Sequence, residues 1–220
     1  MNSSGDNKSE KRQKYINSKN MFLIQKFGGT SVGSALRIKE LVKLTVNDTP
    51  KIVVLSAMSG TTNKLVEICE ALYLKDVEKS IQLIAALKTI YLQVLKELFS
   101  TAESLKKAEH LIETHFSYLH AFTMDMFTAN EEKAILAQGE LLSTALFHYY
   151  LEEINVSSTL LSALHFMRID GNDEPDLPYI EKYLQEELAK HPKETLFITQ
   201  GYICRNAFGE IDNLKRGGSD

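Results

Sequence analysis

Cysteine is scarce. Cys69 and Cys204 are the only two in 220 residues, far apart and outside any CxxC or Cys/His cluster. That spacing excludes a disulfide framework or zinc ribbon and fits a reducing cytosol, with both residues as packed thiols. The histidines at 110, 115, 120, 148, 165 and 191 include no pair at the i, i+4 spacing of a helical metal site. They read as helix surface or satisfied core, and no metal ligand is assigned. A basic excess is also missing: 25 Lys and Arg against 29 Asp and Glu leave a formal net charge of -4. Without a basic face to follow a phosphate backbone, nucleic acid is excluded as a partner. No apolar run approaches the ~20 residues of a membrane helix, and the N-terminus lacks the apolar stretch of a signal peptide. A cytoplasmic protein without a membrane partner is expected.

What is present suits an α/β domain, since 44% hydrophobic content is ample for a core. The first twenty residues, rich in Asn, Ser and Lys, read as a disordered arm, and the Lys11 to Lys14 cluster as a solvated tail. From residue 21 the pattern alternates. FLIQKF (22–27) reads as a short buried strand, residues 34–48 as a helix by apolar spacing, and KIVVLSAM (51–58) as a second buried strand. Strand, crossover helix and strand within about 35 residues describe a parallel βαβ unit. Residues 62–153 hold no proline and a single glycine, which implies several antiparallel helices with breaks near 75–76, 100–101 and 129–130. In this tract Leu83, Ile84, Leu87, Ile90, Tyr91 and Leu95 form a core stripe. VSSTLLSA (156–163) returns to strand composition, 176–190 is a helix, ETLFITQGYIC (194–204) is the third strongly apolar strand, and NAFGEI (206–211) reverses into another short strand. In such a sandwich the loops leaving the strands' C-terminal ends hold the ligand.

Four segments carry candidate chemistry. The first has Lys26 at a strand end and Gly28, Gly29, Thr30 and Ser31 leading into a helix. Glycines there let backbone N–H groups approach an anion at a helix start. The lysine precedes the glycines, so this is not a Walker A loop. Spacing alone leaves a phosphate loop and a structural turn both open. The second, LSAMSGTTN, offers Ser56 and Thr62 among its hydroxyls, with Thr62 as a helix cap the alternative. The third, AQGELLST, places Glu140 after Gly139 inside an apolar helix, as a solvated carboxylate or a partner for a ligand ammonium. The fourth is LKRGGSD, where Arg216 suits a carboxylate or phosphate and Gly217, Gly218, Ser219 and Asp220 follow.

Taken in order, KFGGTSVG, VVLSAMSGTTN, GELLS and RGGSD resemble the signature segments of the aspartokinases, in the amino acid kinase superfamily. The resemblance implies a three-layer αβα sandwich with a mainly parallel sheet, truncated after the substrate-side half. Residues 21–220 would be the N-terminal, aspartate-binding part, with the nucleotide half and the ACT domains absent. It implies transfer of the ATP γ-phosphoryl group to the β-carboxylate of L-aspartate, with Mg²⁺, at the first step of lysine, threonine and methionine synthesis. By position, Lys26 and Asp220 would be catalytic. Lys26, Gly28, Gly29, Thr30 and Ser31 would meet the phosphates. Ser56, Thr62, Glu140, Arg216, Gly217, Gly218 and Ser219 would hold aspartate, with Glu140 on its α-ammonium. A carboxylate is already nucleophilic at neutral pH, so alignment and charge stabilisation suffice, in keeping with the absence of a His or Cys nucleophile.

Two residues depart from the family pattern: Lys215 stands where glycine is common, and Ser162 where an aspartate is usual. The segment alone is expected to turn over weakly or not at all, and the full-length protein to be a homo-oligomer. Two other functions are compatible with the sequence: a non-catalytic amino-acid-binding or regulatory module, and a kinase for a different amino acid.

Overall fold

The computed structural model describes residues 21–124 and 126–215; the arm of residues 1–20 and residues 216–220 lie outside them. A parallel four-stranded sheet runs in the order β1-β2-β4-β3, with β1 Leu23–Phe27, β2 Lys51–Leu55, β3 Thr159–Leu160 and β4 Leu196–Gln200. Between β1 and β2 the chain makes a 3-10 turn at Gly29–Val32 and then α1, Ala35–Thr45, whose first turn is capped by the Ser34 side chain. The C-terminal end of α1 is closed by Lys51, a buried lysine at the start of β2 that donates to Thr45 O at 2.8 Å and to Asn47 Oδ1. The buried ammonium thus meets the carbonyl end of a helix, where a cation is favoured.

Period-two alternation along β2 and β4 divides the core. Val53, Leu55, Leu196 and Ile198 belong to one core cluster with residues of α1 and of α2 Thr61–Tyr73, α3 Val77–Leu98, α4 Ala102–Ala121 and α5 Ala129–Glu153. Ile52 and Phe197 face the other way, onto α6 Ala163–Phe166 and α7 Leu177–Ala189. Helices therefore cover both faces, as expected for an α/β sandwich. A separate antiparallel hairpin, β5 Ile203–Arg205 and β6 Ile211–Asn213, follows β4. No described helix is long and apolar enough to cross a membrane.

Several expectations need correction. FLIQKF is a strand but not a buried one: among the described residues β1 has a single neighbour in the sheet, and Leu23 and Ile24 are 48% and 64% exposed. The 156–163 strand shrinks to Thr159–Leu160, because the chain turns at Ser162 into α6. Residues 194–204 do not run as one strand, since Gly201 and Tyr202 divide β4 from β5. The helical break expected at 129–130 falls earlier, over 122–128, and α5 opens at Ala129 with a capping box between Thr128 and Glu131. In the α3 stripe Ile84, Leu87, Tyr91 and Leu95 are buried and Leu83 packs beside them, but Ile90 is 42% exposed. Cys69 and Cys204 are buried free thiols, and burial pushes both up to about 12.

Candidate active site

The parallel register pairs Lys26 with Val54 and Phe27 with Leu55, so the loops after β1 and β2 leave the same end of the sheet. They interlock through their backbones. Ser56 N–H donates to Phe27 O at 3.1 Å, and Ser59 N–H to Gly29 O at 3.1 Å. Gly29 permits this approach, because a Cβ there would stand 2.7 Å from the Ala57 carbonyl oxygen. At Gly28 a Cβ would meet nothing within 4 Å, so the fold leaves open space beside that residue. Gly60, at φ +79°, turns the second loop into α2.

α5 closes the third side. Gly139 lies against the second loop, where a Cβ would come within 2.7 Å of Ala57 Cβ. The next residue, Glu140, is buried, and its Oε1 accepts the Ala57 N–H at 3.1 Å. Ser143 Oγ donates to Ser56 O at 2.8 Å, fixing the same loop from one turn further on. Ala57 is thus the hub: its N–H meets Glu140, its Cβ meets Gly139 and its carbonyl meets Gly29. β4 joins through Gln200, whose side chain accepts from Ala163 N–H and donates to Thr144 Oγ1, both at 2.8 Å, while Thr144 donates to Glu140 O at 2.7 Å. Beneath, Thr61 Oγ1 and the fully buried Tyr91 hydroxyl share a hydrogen bond at 3.2 Å.

Glu140 is where the electrostatics are unbalanced. Its Oε2 is buried without a hydrogen-bond partner among the described residues. Desolvation pushes the carboxyl up to about 7, against the opposing pull of the Ala57 N–H. A buried carboxylate oxygen left unpaired costs free energy unless a donor or cation reaches it. The arrangement is suited to a ligand ammonium, which would supply both charge and hydrogen bond.

The structure brings Lys26, Gly28, Gly29, Thr30, Ser31, Ser56, Thr62 and Glu140 to one end of the sheet. Lys26 and Thr30 are exposed, and Ser31, Ser56 and Thr62 are half-buried. Ser31 N–H donates to Gly28 O at 2.9 Å within the 3-10 turn. Thr62 is not a cap: α2 begins at Thr61, after Gly60, and no side chain caps it. Its first-turn N–H groups therefore keep the partial positive charge of a helix start. Arg216, Gly217, Gly218, Ser219 and Asp220 lie outside the described residues. Of the two departures from the family pattern, Ser162 precedes α6 as its N-cap residue and Lys215 lies 3.9 Å from Asp173.

Sequence reasoning missed Ala57, Ser143, Thr144 and Gln200. The available signal was Gly139 inside an apolar helix beside an acidic residue, which marks a close approach rather than a break. Among the described residues no cluster of three or more His, Cys, Asp or Glu side chains could hold a metal ion.

Comparison with known proteins agrees with this architecture. The model of the amino acid kinase family matches residues 21–220. Lysine-sensitive aspartokinase 3 of Escherichia coli is 30% identical over 202 residues, covering 90% of this chain and 44% of that protein. The aspartokinase of Chlamydia muridarum is 31% identical over 206 residues, covering 90% of this chain and 43% of its own length. The crystal structure of E. coli aspartokinase III in complex with lysine and aspartate superimposes with a TM-score of 0.76 at 27% identity, again over 90% of this chain and 44% of that one. The same enzyme in complex with aspartate and ADP gives 0.74 at 28%. The chain spans less than half the length of these relatives. With the family model matched over residues 21–220 and the first three segments meeting at one end of a parallel sheet, the chain belongs to the amino acid kinase family.

Proposed function

We propose that this chain is the substrate-side part of an aspartate kinase, and that Glu140 receives the α-ammonium of L-aspartate. The observation that carries the reading is the unpaired, buried Glu140 Oε2 beside the hydroxyl-bearing loop of Ser56 and Thr62. The relatives named aspartokinase, and E. coli structures solved with aspartate, support the same substrate.

On this reading the aspartate β-carboxylate attacks the γ-phosphorus of ATP. A P–O bond forms as the bond to the ADP oxygen breaks, giving 4-phospho-L-aspartate for lysine, threonine and methionine synthesis. Lys26 lies at the end of β1, next to the open space at Gly28. It would offset charge on the transferring phosphoryl group while the loop's N–H groups hold phosphate oxygens. Mg²⁺ would be bound chiefly through the phosphates, as is usual for this ion. Arg216 to Ser219 would grip the substrate carboxylates, Asp220 would organise the phosphate side, and the remaining nucleotide contacts would come from sequence beyond residue 220. The two buried thiols favour a reducing compartment, the cytoplasm, and a homo-oligomer is proposed for the whole protein.

The test is ATP- and aspartate-dependent acyl phosphate, trapped as hydroxamate, in protein that includes the sequence continuing past Asp220. Product with L-aspartate and none with L-glutamate is expected. No hydroxamate with aspartate would refute the reading.

A further inference from the structure

Tyr91 stands in the buried stripe of α3, fully enclosed, with its ring edge-on to Phe116 of α4 and the centroids 5.9 Å apart. Packing there calls for the ring and not for the hydroxyl, since the other buried members of the stripe, Ile84, Leu87 and Leu95, are apolar. A buried hydroxyl costs free energy unless it is hydrogen-bonded. Among the described residues its partner is Thr61 Oγ1, at 3.2 Å.

Thr61 is 3% exposed and opens α2 directly after Gly60. Its two γ substituents face different elements: Oγ1 meets Tyr91, and the Cγ2 methyl lies 3.4 Å from the point that a Cβ on Gly139 would occupy. Both hang on one Cβ, so a single torsion places them together, and a β-branched side chain is stiff about it. A bond that holds the hydroxyl therefore also holds the methyl against α5, one residue before Glu140. The Thr61 backbone is tied into the second loop as well, its N–H donating to Met58 O at 2.9 Å. Burial raises the Tyr91 phenol above its usual range; the Thr61 bond opposes this, and the charge of Glu140 adds to it.

We propose that Tyr91 is a positioning residue for Glu140: its hydroxyl fixes the Thr61 side chain, whose methyl seats the Gly139–Glu140 step of α5 against the second loop. Both side chains are buried and act through Gly139 and Ala57. The consequence for ligand binding rests on the aspartate reading above; the seating itself does not.

The experiment compares the full chain with Tyr91→Phe, with Thr61→Val, which keeps the shape and loses the hydroxyl, and with the two combined. Ser80→Ala is the control, removing a different buried hydroxyl of α3 that donates to Asp76 O at 2.8 Å. Hydrogen exchange is read at the Ala57 amide, the donor to Glu140, and L-aspartate affinity by calorimetry. Tyr91→Phe and Thr61→Val are each expected to speed Ala57 exchange roughly three- to tenfold and to weaken aspartate by a similar factor. The double variant should match either single one to within about twofold, because all three lack the same bond. Ser80→Ala should leave both readouts within about twofold of wild type, a contrast that general destabilisation would not give. Unchanged Ala57 exchange in Tyr91→Phe overturns the seating, as do losses that multiply in the double variant or that recur in Ser80→Ala. Faster exchange with unaltered aspartate affinity overturns the positioning role. If the wild-type chain binds no aspartate, the proposed function fails, and Ala57 exchange decides on the seating by itself.

Discussion

Gly139→Ala places one methyl group at the tightest contact of the site. The added Cβ would lie 2.7 Å from Ala57 Cβ, with Thr61 Cγ2 at 3.4 Å and Leu65 Cδ1 at 3.5 Å. The last two are ordinary contacts; the first is about 1 Å inside the optimum for two carbon atoms. Ala57 has no rotamer by which to retreat, and its N–H is engaged by Glu140 while its carbonyl lies against Gly29. Overpacking of this kind costs about 1–3 kcal/mol. Alanine in place of glycine within a helix returns about 1 kcal/mol, so the net loss of stability is about 0–2 kcal/mol. Binding suffers more, because the displacement falls on the Ala57 to Glu140 bond, and aspartate affinity should drop about tenfold or more, equivalent to ~1.4 kcal/mol. Urea unfolding and calorimetric titration read the two effects separately. Ala57→Gly in the same chain removes the contacting atom and should restore most of the affinity. Tight aspartate binding in Gly139→Ala alone, or no recovery with Ala57→Gly, would refute the hub.

Glu140→Gln should raise the stability of the ligand-free protein at pH 8. Burial lifts the carboxyl from 4.5 to about 7, so folding favours its protonated form; that stabilisation is full below pH 4.5 and is lost as pH rises to 7. The ionised wild type forgoes on the order of 3 kcal/mol there, and the variant's stability should vary less with pH in urea melts across pH 4–8. Gln200→Leu strips the partner from Ala163 N–H and from Thr144, and should cost about 2–3 kcal/mol in urea unfolding, with aspartate affinity reduced as α5 loses its tie to β4. Lys26→Met, assayed by hydroxamate in protein carrying the nucleotide half, should lower kcat by about 10²–10³ and leave aspartate affinity within twofold. Equal losses in kcat and in aspartate affinity would assign Lys26 to substrate binding instead.

Much of this was legible in the sequence, and the gaps have physical causes. Apolar runs bounded by glycine mark β1, β2 and β4, and the proline-free tract marks the helices, because local spacing carries both signals. Exposure of β1 was not legible, since it depends on how many strands flank it and no residue in FLIQKF encodes that. The start of α5 could have been found from Thr128 and Glu131, whose three-residue spacing is a capping box. Glu140 was legible as a residue, but its unpaired oxygen depends on a partner 83 positions away. Ala57 was not legible at all. A small apolar residue between Ser56 and Met58 reads as the end of a strand, and its role comes from three neighbours that meet only in the fold.

The central claim is that Glu140 pairs with the ammonium of the substrate, and calorimetry with two ligands tests it most directly. L-Aspartate and succinate share both carboxylates and differ by the amino group. Titrated into the chain at pH 8, where Glu140 is ionised, L-aspartate should bind and succinate should not; Glu140→Gln should abolish the difference. Succinate binding as tightly as L-aspartate, or undiminished aspartate binding to Glu140→Gln, would contradict it.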